Sequence, residues 1–131
     1  MYLIIDNDSK KAAVVDPVDV DAIQKAAADN DATITTILTT HNHWDHSGGN
    51  LKLVKEVSTI DSVFGGVGDN VPGATHEVGD GDSIMIGSKT YIKVLFTPCH
   101  TPGHVCYYVD NSHVFTGDTM FVSGAGNFNT G

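Results

Sequence analysis

The β-branched run Thr33-Ile34-Thr35-Thr36-Ile37-Leu38 leads directly into Thr40-His41-Asn42-His43-Trp44-Asp45-His46-Ser47-Gly48-Gly49-Asn50. β-branched side chains fit a buried strand. This strand therefore ends in a dense set of imidazoles and a carboxylate, and the fold must tolerate them at its edge. On extended backbone, residues two apart point the same way, so His41 and His43 face one side. Asp45 and His46 come after a turn and can face a second point a few ångströms away. Gly48 and Gly49 let the backbone fold closely behind them. Neutral imidazole and carboxylate are ligands for divalent transition metals, with no thiolate needed. One loop can thus feed two adjacent metals.

Two further clusters also follow strand ends. Thr97-Pro98-Cys99-His100-Thr101-Pro102-Gly103-His104 is held rigid by its prolines and glycine. His104 sits just before the strand 105–109 and is the expected ligand of this cluster. His100 is expected to brace the loop by a hydrogen bond to backbone, and Cys99 to be small buried filler. In Phe115-Thr116-Gly117-Asp118-Thr119, Asp118 offers two oxygens and can bridge two cations. His76 and His113 lack partners in sequence and are expected to be structural. Cys106, Tyr107, Tyr108 and Phe115 are expected to pack in strands.

The rest of the chain is strand-rich. Residues 2–5 and 12–15 read as a hairpin turned by Asp6-Asn7-Asp8-Ser9. Residues 19–29 read as a helix, with Val20, Ile23 and Ala27 on one face. Residues 50–57 read as a short helix capped by Asn50. Gly65, Gly66, Gly68 and Gly73 mark an irregular stretch. Residues 83–86 and 91–96 form a second hairpin, and 105–109 and 113–115 a third. The segment 122–131 has no regular period. About seven strands and two helices result.

Charge narrows the partners. The chain of 131 residues has 7 lysines, no arginine and 16 acidic residues, a net charge of −9. Nucleic acid and anionic membrane surfaces need clustered cations, so neither is an expected partner. The apolar runs are too short to span a bilayer. No basic region followed by an apolar segment stands at the N-terminus. Two cysteines do not make a disulfide framework, which points to a reducing, cytoplasmic setting.

The blocks 40–50, 97–109 and 115–122, together with Val71-Pro72-Gly73-Ala74-Thr75-His76, resemble the metallo-β-lactamase superfamily and, more narrowly, glyoxalase II, the hydroxyacylglutathione hydrolases. The resemblance implies an α/β fold, an αββα sandwich in a single domain over 1–131, incomplete on its C-terminal side. It implies two divalent metals, zinc foremost, with iron or manganese tolerated and the second site weaker. By matching position, metal one takes His41, His43 and His104, metal two takes Asp45 and His46, and Asp118 bridges. Asp45 is also the expected catalytic residue, orienting a hydroxide. The implied substrate is a small-molecule thioester, S-lactoylglutathione in the family. Asn127 and Asn129 stand where the family carries a basic residue and a tyrosine that contact glutathione. A persulfide dioxygenase with mononuclear iron, a lactonase or general thioesterase, and a metal-binding module without turnover are the alternatives. The family's closing strands and helical domain would lie beyond Gly131, so self-association through strand edges or a longer parent chain is expected.

Overall fold

The computed structural model describes residues 1–128. Nine strands and three helices follow the order β1 (Tyr2–Ile5), β2 (Lys11–Val15), α1 (Val20–Asp29), β3 (Thr33–Leu38), α2 (Trp44–Ser47), α3 (Asn50–Glu56), β4 (Ser62–Gly66), β5 (His76–Val78), β6 (Ser83–Ile86), β7 (Thr90–Phe96), β8 (Val105–Val109) and β9 (His113–Phe115). They form two sheets, β1-β2-β3-β4-β5 and β6-β7-β8-β9. In the first sheet β2 to β5 are parallel neighbours, and β1 joins antiparallel as the hairpin partner of β2. The second sheet is antiparallel throughout.

Two apolar layers hold these sheets. Ala13, Val15 and Leu38 of the first sheet meet Ile84, Ile92, Val94, Val105, Tyr107 and Val109 of the second. On the other face of the first sheet, Val14, Ile34, Ile37 and Val63 meet Val20, Ile23 and Ala27 of α1 and Leu53 of α3. Every second residue of β2 thus enters a different layer, as strand pleating requires. Met85 and Tyr91, on the outer face of the second sheet, are exposed. The layers run helices, sheet, sheet. Among the described residues the second helical layer of an αββα sandwich is absent.

The helix α1 begins where its sequence suggests, with the Asp19 side chain accepting the Ala22 N–H at 3.0 Å. Asn50 does not cap α3: Gly49 holds the cap position. The Asn50 side chain is buried and donates instead to Thr39 Oγ1 at 2.9 Å and the Pro72 carbonyl at 3.0 Å.

The stretch expected to be irregular contains β4 and β5. Gly65 and Gly66 lie within β4, because neighbours press on both. A Cβ on Gly66 would stand 1.7 Å from the Gly103 carbonyl oxygen, and one on Gly65 2.6 Å from Val71. Glycine in a strand here marks close backbone approach.

Asp6 links the turns at one end of the sandwich. Its buried carboxylate accepts from the Ser9 N–H and hydroxyl at 2.8 and 2.7 Å, from the Lys89 N–H at 2.8 Å and from the Thr90 N–H at 3.0 Å. These four hydrogen bonds join the β1–β2 and β6–β7 turns and hold the carboxyl below the usual range, chiefly through Ser9.

Candidate metal centre

The carboxyl ends of β2, β3 and β4 and the ends of β7 and β9 meet at one edge of the sandwich. Leaving β3, the chain crosses between sheets: the Thr40 carbonyl accepts the Val105 N–H at 2.9 Å, and the Thr39 carbonyl accepts the Tyr107 hydroxyl at 2.9 Å. The residue following this crossing is His41, fully buried. Its ring centroid lies 4.7 Å from that of His43, 4.2 Å from His46 and 4.9 Å from His100.

Hydrogen bonds on the outside of the cluster fix the protons within it. The Thr40 hydroxyl donates to Asp16 Oδ2 at 2.8 Å, so it can only accept from His41 Nδ1, 3.1 Å away. His41 Nε2 therefore presents a lone pair inward. His100 Nδ1 donates to the Asn127 carbonyl at 2.9 Å, which turns His100 Nε2 inward too. His46 Nδ1 donates to Asp16 Oδ2 at 2.9 Å, leaving Nε2 to face Asp118. Outer partners of this kind set ring orientation and raise the basicity of the inner nitrogen.

The inward atoms form two groups. His43 Nδ1 lies 3.1 Å from His41 Nε2 and 3.0 Å from His100 Nε2. Asp118 stands between this group and His46, with Oδ1 3.1 Å from His46 Nε2 and Oδ2 3.3 Å from His100 Nε2. The sets His41/His43/His100 and His41/His46/Asp118 each bring their ligand atoms within 4.8 Å of one another. A proton on His43 Nδ1 can serve one of its two neighbours, whereas a divalent cation serves all three. Nitrogen and carboxylate donors in this arrangement fit such a cation.

The site's electrostatics agree with a neutral His41 ring. Burial, and then the surrounding imidazoles, push His41 down to about 2. Burial pushes His104 down to about 4. His46 is raised, first by its hydrogen bond to Asp16.

Within the second cluster the structure groups the His100 ring nitrogen, rather than that of His104, with those of His41 and His43. His104 enters β8 directly and its ring is tucked beneath the turn 116–119, where Nε2 accepts the Asp118 N–H at 3.1 Å. Nδ1 lies 2.9 Å from Thr97 Oγ1 and 3.1 Å from Thr119 Oγ1. Both ring nitrogens are thereby engaged by protein. His100 does brace backbone as expected, through Asn127, and presents its second nitrogen to the cluster. Asp45 is more peripheral, its side chain 55% exposed and Oδ2 3.9 Å from His46 Nε2. Cys99 is exposed rather than buried, while Cys106 is buried. His76 stacks on Phe64 with centroids 4.8 Å apart, and His113 contacts Ser112 at 2.8 Å. Asn129 lies outside the described residues.

Asp16 and Asp69 were not singled out by sequence. Asp16 directly follows β2, and a strand-end position like those of the other clusters was its available signal. Asp69 accepts the Asn42 N–H at 2.6 Å and the Gly103 N–H at 3.1 Å, tying the two histidine loops together.

A cavity of about 730 Å³ opens beside Asp45, His46 and Asp118, walled by Tyr2, Phe115 and Phe121.

The sequence profile of the metallo-beta-lactamase superfamily matches residues 1–130. The chain belongs to that superfamily. It is 49% identical over 132 residues to the cytoplasmic hydroxyacylglutathione hydrolase of Arabidopsis thaliana, covering 97% of this chain and 51% of that protein. It is 40% identical to a probable hydroxyacylglutathione hydrolase of Schizosaccharomyces pombe, with the same coverage of 97% and 51%. Among solved structures, ETHE1 from Myxococcus xanthus superposes with a TM-score of 0.88 at 33% identity, over 98% of this chain and 56% of that one. The superfamily domain here thus spans about half the length of the curated relatives it matches.

Proposed function

We propose that this chain carries a two-cation centre for hydrolysis of thioesters, of the glyoxalase II type, with S-lactoylglutathione as the model substrate. The observation that carries the reading is the convergence of His41, His43 and His100 nitrogens on one point, with Asp118 spanning from there to His46. The names of the Arabidopsis and Schizosaccharomyces relatives support the substrate class and, for the first, a cytoplasmic setting. In this reading His41, His43 and His100 hold the first cation, His46 and Asp45 the second, and Asp118 both. Zinc suits the donor set best, with iron or manganese accommodated.

When bound, such cations lower the pKa of a water toward neutrality and polarise the thioester carbonyl. The chain's own groups do the rest. Asp16 keeps the His46 Nδ1 proton on the outside, so that Nε2 stays available. Asp45, exposed at the rim, orients the attacking water and accepts its hydrogen bond. The departing thiolate has a pKa of about 8.5, so no strong general acid is needed. Among the described residues, the cavity lining offers Asp45, His46 and Asp118 and no lysine. The test is hydrolysis of S-lactoylglutathione and of simpler acyl thioesters by zinc-loaded protein, against His43→Ala. Turnover that depends on His43 supports the reading. Cation uptake without turnover on any thioester overturns it.

The likeness to ETHE1 favours a second reading, a persulfide dioxygenase with a single iron. Oxygen consumption by iron-loaded protein with a glutathione persulfide, in place of thioester hydrolysis, distinguishes it.

A further inference from the structure

The metal reading leaves His104 without an assignment, although it is fully buried and stacks against His41 with ring centroids 4.9 Å apart. Its surroundings define its protonation. Nε2 faces the Asp118 N–H, which can only donate, so Nε2 is an acceptor. The proton then sits on Nδ1, between the hydroxyls of Thr97 and Thr119, which are themselves joined at 3.1 Å. The turn that presents Asp118 is pressed onto this ring. Gly117 adopts φ +49°, and a Cβ there would lie 2.7 Å from His104 Nε2 and 2.5 Å from Thr40 Oγ1. The Asp118 N–H is thus anchored on His104 and its carbonyl on the Gly126 N–H at 2.7 Å, while its side chain reaches His46 and His100.

We infer that His104 is a positioning residue: a neutral imidazole, protonated on Nδ1, that holds the Asp118 backbone so that the carboxylate stays between His46 and His100. The inference rests on the reading of this cluster as a metal centre. His104 acts through Asp118 and touches neither cation nor substrate. A ring at this place holds the turn by the one hydrogen bond that Nε2 accepts, and the two threonine hydroxyls face the proton on Nδ1.

Amide substitutions separate this from bulk packing and from ligation. Glutamine places its carbonyl oxygen near the position of Nε2, and asparagine places its amide near Nδ1. Leucine offers neither. Two measurements on the full chain apply: zinc affinity by chelator competition, and hydrogen exchange of the Asp118 amide in metal-free protein. His104→Gln is expected to stay within about threefold of wild type in affinity and to keep the Asp118 amide protected. His104→Asn and His104→Leu are expected to bind zinc about 10- to 100-fold more weakly, the range for outer partners of metal ligands, and to lose that protection. Equal effects of all three substitutions, or unchanged affinity in His104→Leu, overturn the inference. So does His104→Gln that fails to fold, or that loses zinc as completely as His100→Ala with the Asp118 amide still protected. A wild-type chain that takes up no zinc overturns the metal reading itself and this inference with it, whereas zinc-binding wild type with an indifferent His104→Leu overturns this inference alone.

Discussion

Asp16 Oδ2 lies 2.9 Å from His46 Nδ1, and this contact decides which nitrogen of His46 faces Asp118. The same carboxylate accepts the Thr40 N–H at 2.7 Å and, through the Thr40 hydroxyl, sets the tautomer of His41. Asp16→Asn keeps the left-handed backbone at φ +49°, which asparagine tolerates, but removes an acceptor. Zinc affinity is expected to fall about 10- to 100-fold, as for other outer partners of metal-bound histidine. Chelator competition measures it, and an unchanged affinity contradicts the relay from Asp16.

His100→Ala removes one of three converging nitrogens. It is expected to lose tight zinc binding and thioester hydrolysis together, as His43→Ala does. Elemental analysis after dialysis checks the first and a thiol-release assay the second. Full zinc retention in His100→Ala would place the third nitrogen elsewhere.

Much of this was legible in the sequence because it depends on local pattern. The hairpins and α1 follow from side-chain period and turn residues, whereas Trp44–Ser47 forms the short helix α2 within a stretch that reads as loop. The choice between His100 and His104 was not legible. Both occupy one proline-glycine turn, and only the register of Val105 on Phe96 places His104 under Thr97. β4 was hidden for a related reason. Gly66 looks like a loop residue until the Gly103 carbonyl is seen against it. Asp16 and Asp69 act on backbone 24 and 27 residues away, a separation that leaves no local signature.

Asp69 joins the two histidine loops with its two oxygens and is fully enclosed. Asp69→Ala leaves the Asn42 and Gly103 N–H groups without that acceptor. Stability is expected to fall by about 1–3 kcal/mol, the cost of stranding buried polar groups. Urea unfolding of the metal-free chain gives the number, and no change in midpoint contradicts the tie.

Acid should weaken the metal-free fold in two separate windows. His41 and His104 stay neutral when folded, at about 2 and about 4, but titrate near 6.5 when unfolded. Below about pH 6.5 the unfolded chain therefore binds more protons, and stability falls with pH. His46 is raised and opposes this only above that point, where its own contribution fades. Asp6 is depressed, so its contribution is complete above about pH 3.9 and disappears below it. Urea midpoints across about pH 2 to 7 are expected to drop on the acid side. Asp6→Asn should leave that upper slope in place and flatten the one below pH 4. A midpoint that rises on acidification contradicts the neutral, buried histidines.

The central claim is that His41, His43, His100, His46 and Asp118 form one cation-binding centre. Zinc stoichiometry by elemental analysis, after saturation and dialysis of the wild-type chain, tests it most directly. The account predicts about one zinc per chain in dilute metal, rising toward two in excess, with the first lost in His43→Ala. A wild-type chain that emerges from dialysis with no zinc would contradict it.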